Sequence, residues 1–159
     1  MSKWVFDLEA NGFKLEADRV HCGVFINVDT NEIRKFRPNQ VEQMLEFMDS
    51  CTVLIGHNVI DYDFGLLNRL YGYEFKGRVV DTVILSRILL PNQQVPQQMK
   101  ADYEALNAER KLQKLPTKKL SGPHSIEAWG YRVDRGKVEH EDWSTFTEDM
   151  MHRCTEDVH

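Results

Sequence analysis

The chain has 159 residues, 42% hydrophobic and 28% charged, with a formal net charge of −5. That length suits one ordinary domain with a real core, and no stretch approaches the ~20 apolar residues that a membrane span requires. The excess of acid argues against a tight, sequence-blind grip on duplex nucleic acid, but not against an enzyme that concentrates negative charge in a metal site.

The segment Met1-Ser2-Lys3-Trp4-Val5-Phe6-Asp7 enters a strand at once, without the pattern of a secretory leader. Three cysteines (Cys22, Cys51, Cys154) are an odd count without metal-finger spacing. Reduced thiols in a cytoplasmic setting are the expectation. From Lys3 to Ala10 the residues alternate, with Val5, Asp7 and Glu9 on one face and Trp4, Phe6 and Leu8 on the other. Val20–Val28 and Glu32–Arg37 read as two more strands, joined by the turn Asp29-Thr30-Asn31. Pro38-Asn39 opens a helix with the stripe Val41, Met44, Leu45 and Met48. Thr52–Ile55 is a short buried strand ended by Gly56. A helix follows from about Asp61 to Tyr71, with Phe64, Leu67 and Leu70 at helical spacing and Asp61 as its expected N-cap.

Arg78–Asp81 reads as a last short strand running into a helix over Thr82–Leu90, which Pro91 stops; Asp81 is expected to cap that helix. Gln97–Lys119 is polar, helical in propensity and basic (Arg110, Lys111, Lys114, Lys118, Lys119). That stretch is either a solvated face or a guide for a single strand. Segments around His124–Arg132 and Phe146–His159 also read as helical, with His124 in the cap region of the first. Thr145-Phe146-Thr147-Glu148 has the form of a capping box. Phe146, Met150, Cys154 and Val158 then form an apolar stripe, and Asp157 lies about 60° from it on a wheel of 100° per residue. The fold class expected is α/β: a five-stranded mixed sheet, three antiparallel strands then α-β-α-β, flanked by helices. That order matches the ribonuclease H-like sheet.

Four carboxylates from across the chain stand out: Asp7 and Glu9, Asp63, and Asp157. Each sits in an element whose apolar partners predict burial. Four acids in one cleft repel and raise one another's pKa, so cations are needed to hold them. A pair of hard divalent ions about 3.5–4 Å apart, the machinery of phosphodiester hydrolysis, takes such acids.

The motifs Phe6-Asp7-Leu8-Glu9-Ala10-Asn11-Gly12, His57-Asn58 with Tyr62-Asp63, and Glu156-Asp157-Val158 occur in order over essentially the whole chain. Between them stand Asp81-Thr82-Val83-Ile84-Leu85-Ser86-Arg87 and Ser125–Arg132. In these residues the chain resembles the DEDD (DnaQ-like) 3′→5′ exonucleases, and most closely the N-terminal proofreading domain of bacteriophage family A DNA polymerases. The resemblance implies a single domain over 1–159 that removes nucleoside monophosphates from single-stranded or frayed DNA 3′ ends, in a bacterial or phage-infected cytoplasm. It implies two divalent cations, Mg²⁺ or Mn²⁺: Asp7 bridging both, Glu9 and Asp157 completing one site, Asp63 holding the other through water. A covalently linked or associated polymerase domain is an implied partner, RNA an alternative substrate, and an inactive nucleic-acid-binding module the rival reading.

Relatives of the polymerase type carry a Tyr four residues before the last Asp, where this chain has Arg153; another branch carries a His five residues before it, the distance of His152. His152 is thereby a candidate general base, although on an ideal helix a residue at −5 lies about 140° away and one at −4 about 40°. Leu8, Asn11, Gly12 and Phe13, near the first motif, are candidates to wedge or stack the terminal bases. Asn58 is a further substrate-binding candidate, though His57-Asn58 reads first as the shaper of a turn.

Overall fold

A computed structural model describes residues 2–135 and 143–159. Five strands form one sheet in the order β3-β2-β1-β4-β5. β1 (Lys3–Ala10), β2 (Val20–Asn27) and β3 (Ile33–Phe36) are antiparallel neighbours, and β4 (Val53–Gly56) and β5 (Arg78–Asp81) run parallel to β1. The helices are α1 (Val41–Ser50), α2 (Asp63–Tyr71), α3 (Thr82–Leu89), α4 (Gln97–Leu112), α5 (Ile126–Arg132) and α6 (Glu148–Val158). This is the ribonuclease H-like α/β arrangement expected from the order of elements. Two compact units make up the chain: Met1–Leu85 with Val138–His159, and Ser86–Lys137. The sheet belongs wholly to the first.

Alternation along β1 divides the first unit into two cores. Trp4, Phe6, Leu8 and Ala10 point to one face, where Phe25 and Leu54 join Met44 and Met48 of α1 and Leu66 and Leu67 of α2. The Phe6 and Phe25 rings stack there at 5.4 Å, and Trp4 meets Phe47 edge-on at 4.9 Å. On the opposite face Val5, Cys22, Val24 and Ile26 pack against Met150, Met151, Cys154 and Val158 of α6. Covered on both faces, β2 is buried at every residue but Asn27. Its Gly23 is required by that packing, because a Cβ there would stand 2.5 Å from Met44 Sδ and 2.7 Å from Leu8 Cδ2. Helix α2 ends on Gly72 at φ 64, the left-handed conformation glycine adopts without strain.

Helix ends differ from expectation in three places. The cap of α6 is Thr147, whose side chain accepts from Met150 N at 3.1 Å, so the Thr145–Glu148 box does not form. Phe146 then falls just before the cap and packs against the core that α6 forms with the sheet, while Glu148 accepts from Arg37 Nη1 at 2.5 Å. The N-cap of α2 is Tyr62, not Asp61; Asp61 pairs with Lys14 at 2.7 Å. Helix α4 stops at Leu112 instead of running on through the basic stretch, and Lys114 follows in the left-handed region at φ 57.

In the second unit, Glu127 of α5 accepts from Tyr103 and Ser121, and Tyr131 donates to Asp102. His124 bonds Ser86 Oγ at 2.7 Å, and Trp129 Nε1 donates to the same hydroxyl at 3.1 Å. Arg110 donates to the Pro116 carbonyl at 2.6 Å, so one of the basic residues serves the local fold. No helix among the described residues is long and apolar enough to cross a membrane.

Candidate metal centre

Asp7 and Glu9, two residues apart, extend from the β1 face that also carries Val5 and meets α6. Helix α6 lies on β1 and β2 through Met150, Met151, Cys154 and Val158, and Cys154 Sγ donates to the Asp7 carbonyl oxygen at 3.3 Å. That docking carries Asp157, in the last turn of α6, back to the start of the chain. Asp7, Glu9 and Asp157 each offer an oxygen within 4.8 Å of the others. Glu9 and Asp157 are well sheltered, at 12% and 13% side-chain exposure. Three hard oxygen donors from elements almost 150 residues apart make a cation-ready group.

Asp63, the first residue of α2, is buried at 3% exposure. Burial first, then the charge of Asp7 beside it, push its carboxyl well above the usual carboxylate range, against the pull of the Leu8 and Asp63 backbone amides. Its Oδ1 has no hydrogen-bond partner among the described residues. A buried, unpartnered carboxylate oxygen beside a second acid fits a divalent ion or its bound water, and an oxygen-only donor set suits Mg²⁺ or Mn²⁺. Burial likewise pushes the Tyr62 phenol up to about 12, with the charges of Asp63, Glu9 and Asp7 adding to it. The Tyr62 hydroxyl donates to the Gly12 carbonyl at 2.7 Å, tying the start of α2 to the loop after β1.

Asp81 does more than cap the helix that follows it. Its buried carboxylate accepts from Val83 N at 3.0 Å, from Asn58 N at 3.0 Å and from Ile60 N at 3.1 Å. One side chain thus holds both α3 and the loop that delivers Asp63. Asn58 is exposed, with a left-handed φ of 64, and its amide belongs to this loop anchor.

The residue that reaches the acids from the middle of α6 is Arg153. Its Nε stands 3.5 Å from Glu9 Oε1 and 3.6 Å from Asp157 Oδ2, at 14% side-chain exposure. The guanidinium carbon lies 4.6 Å from the Trp143 ring centroid, a cation–π contact. Trp143 is held in turn by His21, whose Nε2 lies 3.0 Å from the Trp143 carbonyl oxygen. His21 is the extra residue of a β-bulge: Glu9 pairs with Cys22 and Ala10 with Val20, so the register shifts just beyond the acids. Sequence reasoning singled out neither Trp143 nor His21, and no local pattern marks a bulge in Val20-His21-Cys22. His152 is exposed on α6, outside the cluster.

Among the substrate candidates, Leu8 is corrected: at 3% exposure it packs in the core on the opposite face from Asp7 and Glu9, as strand alternation demands. Asn11 braces its own loop, accepting from Asp18 N and donating to Asp18 Oδ1 at 2.9 Å. Gly12 supplies the carbonyl that Tyr62 binds. Phe13 stands out at 78% exposure, as does Leu15, which sequence reasoning passed over, at 83%. Arg69 of α2 donates to the Lys14 and Ala17 carbonyls, so both apolar side chains ride on a fastened loop.

No protein-family model matches the chain. Across 97% of its length it is 28% identical to the DNA-directed DNA polymerase of Escherichia phage T7. The chain spans only about a quarter of the length of the curated relatives it matches. In fold it is similar to E. coli exonuclease I in complex with a dT13 oligonucleotide: TM-score 0.56 and 13% identity, over 99% of this chain and 38% of that one. It is similar also to the family B DNA polymerase of the archaeon Pyrobaculum calidifontis: TM-score 0.53 and 15% identity, over 99% of this chain and 23% of that one. The phage polymerases in sequence and exonuclease I in fold together bear out the resemblance to the DnaQ-like 3′→5′ exonuclease superfamily.

Proposed function

We propose that this chain is a metal-dependent 3′→5′ exonuclease domain, spanning 1–159, that removes nucleoside monophosphates from single-stranded or frayed DNA ends. The observation that carries the reading is the convergence of Asp7, Glu9 and Asp157 within 4.8 Å, with the Asp63 carboxylate, whose Oδ1 has no hydrogen-bond partner among the described residues, close enough to Asp7 to feel its charge. Asp7, Glu9, Asp63 and Asp157 would hold two divalent cations, Mg²⁺ or Mn²⁺. Bound there, the ions would supply an activated water and neutralise charge developing on the phosphate. The chain's own part is positioning: α6 docked on β1 fixes Asp157, and the Asp81 anchor fixes the approach to Asp63. In the reaction a water oxygen bonds to phosphorus and the P–O3′ bond breaks. A 3′ hydroxyl is left on the shortened strand and a 5′-monophosphate departs.

Phe13 and Leu15 are exposed on the fastened loop after Glu9; in this reading Phe13 would stack on the terminal base and Leu15 would pack against it. The likeness to phage polymerases supports a proofreading role beside a polymerase domain in a phage-infected cell. A second reading, a nucleic-acid-binding module without activity, is favoured by one observation, the Arg153 guanidinium seated between Glu9 and Asp157.

Single-stranded DNA labelled at either end separates the two readings, with Mg²⁺ or Mn²⁺ present and Asp7→Asn as control. A 5′-labelled strand shortening in single steps, and a 3′ label released first as mononucleotide, establish the direction. Both must vanish in chelator and in the variant. An intact strand with both metals refutes the exonuclease reading in favour of the module, and the same assay on RNA decides sugar preference.

A further inference from the structure

We infer that Arg153 is a resident counter-ion of the carboxylate cluster, holding Glu9 and Asp157 together before metal arrives and competing with the cation for them; this rests on the metal reading above. The position is built, not incidental. One wall is Trp143, whose ring lies 4.6 Å from the guanidinium carbon, and His21 of the β2 bulge holds Trp143 by its carbonyl. The acids are the other wall, with Arg153 Nε at 3.5 Å from Glu9 and 3.6 Å from Asp157.

Both distances are those of ion pairing without a hydrogen bond, and the buried Nε has no hydrogen-bond partner among the described residues. A guanidinium held by ion pairing and a cation–π contact, with an unsatisfied Nε donor, would give way to a divalent ion that binds the same oxygens directly. Arg153 and Asp157 are one helical turn apart on α6, so the arginine leaves by side-chain rotation along the face of Trp143, with no shift of the helix. With all four acids intact, a fixed positive charge here makes the cluster stable when empty and graded in its uptake of metal. Arg153 is a positioning residue: it acts through Glu9 and Asp157 and has no basic atom with which to take a proton from water.

Calorimetric titration of Mn²⁺ into the wild type and Arg153→Gln, with thermal unfolding in chelator, tests the inference without reference to activity. The variant should bind Mn²⁺ at least about tenfold more tightly, equivalent to about 1.4 kcal/mol of competition removed, and should melt lower than the wild type in chelator. Equal or weaker Mn²⁺ affinity in Arg153→Gln overturns the inference while leaving the metal reading intact. Absence of Mn²⁺ binding in the wild type overturns both. Tryptophan fluorescence during a Mg²⁺ titration keeps the inference testable if Arg153→Gln fails to fold. Displacement of the guanidinium should change the emission in the wild type and leave Trp143→Phe silent. A Trp143 signal that does not respond to saturating Mg²⁺ overturns the inference as well.

Discussion

Replacing Asp63 by Asn should stabilise the metal-free protein, and the size of the effect follows from the site. Asp63 is 3% exposed, its Oδ1 lacks a partner among the described residues, and Asp7 adds a negative charge nearby. An unsatisfied buried acceptor costs about 1–3 kcal/mol, more when charged. Asparagine keeps the shape, removes the charge and gives Asp7 an N–H to accept. In chelator at pH 8, Asp63→Asn should therefore gain about 1–3 kcal/mol. For a chain of this length each kcal/mol moves Tm by about 2–4 °C.

The pH dependence has a definite sign. A carboxyl whose folded pKa lies above its unfolded value, about 3.9, stabilises the fold most at pH values below that unfolded value. That contribution is lost as pH rises through the folded pKa. The wild type should accordingly lose ground to Asp63→Asn from mild acid to pH 8 and draw level as the pH falls. Saturating Mn²⁺ should reverse the order, because the wild type alone keeps all four acids for the metal. Thermal unfolding in chelator and in Mn²⁺, at pH 5 and pH 8, reads all of this. A variant that melts below the wild type in chelator at both pH values refutes the argument, since Asp63 would then be a satisfied structural acid.

Asp81→Ala removes the acceptor of three backbone amides and should destabilise by about 1–3 kcal/mol. Activity should fall further than folded fraction accounts for, because the loop into Asp63 loosens; kinetics on the folded fraction check this. Gly23→Ala drives a Cβ against Met44 and Leu8 and should cost about 1–3 kcal/mol by overpacking, read as a lower urea midpoint with an unchanged m-value. The double variant Phe13→Ala, Leu15→Ala should change stability by no more than about 0.5 kcal/mol, since both side chains stand in solvent. It should nonetheless raise KM for single-stranded DNA severalfold, and an unaltered KM would take both residues out of substrate binding.

Much of this protein is legible along the chain. The alternation of Lys3–Ala10 already puts Asp7 and Glu9 on one face and Trp4 and Phe6 on the other, because strand geometry has a period of two residues. Taken consistently, the same period sends Leu8 into the core, where it lies. The order of strands and helices, and so the ribonuclease H-like sheet, also follows from local hydrophobic period and turn residues. Local competition decided details the pattern left open: Thr147, whose side chain accepts from Met150 N, caps α6 in place of Thr145, and Phe146 packs against the core from just before the helix.

The character of the site came from contacts between distant segments, which no local period encodes. Asp157 joins Asp7 and Glu9 only because Met150, Cys154 and Val158 dock α6 on the sheet. The reach of Asp81 to Asn58 and Ile60 requires β5 to pair with β4, while the bulge that frees His21 to hold Trp143 and the seat of Arg153 between two acids require β1, β2 and α6 to be assembled. A sequence states which charges exist; the packing of apolar faces sets how far apart they stand, and at separations of 3.5–4.8 Å that distance determines whether an acid is a surface charge or a ligand.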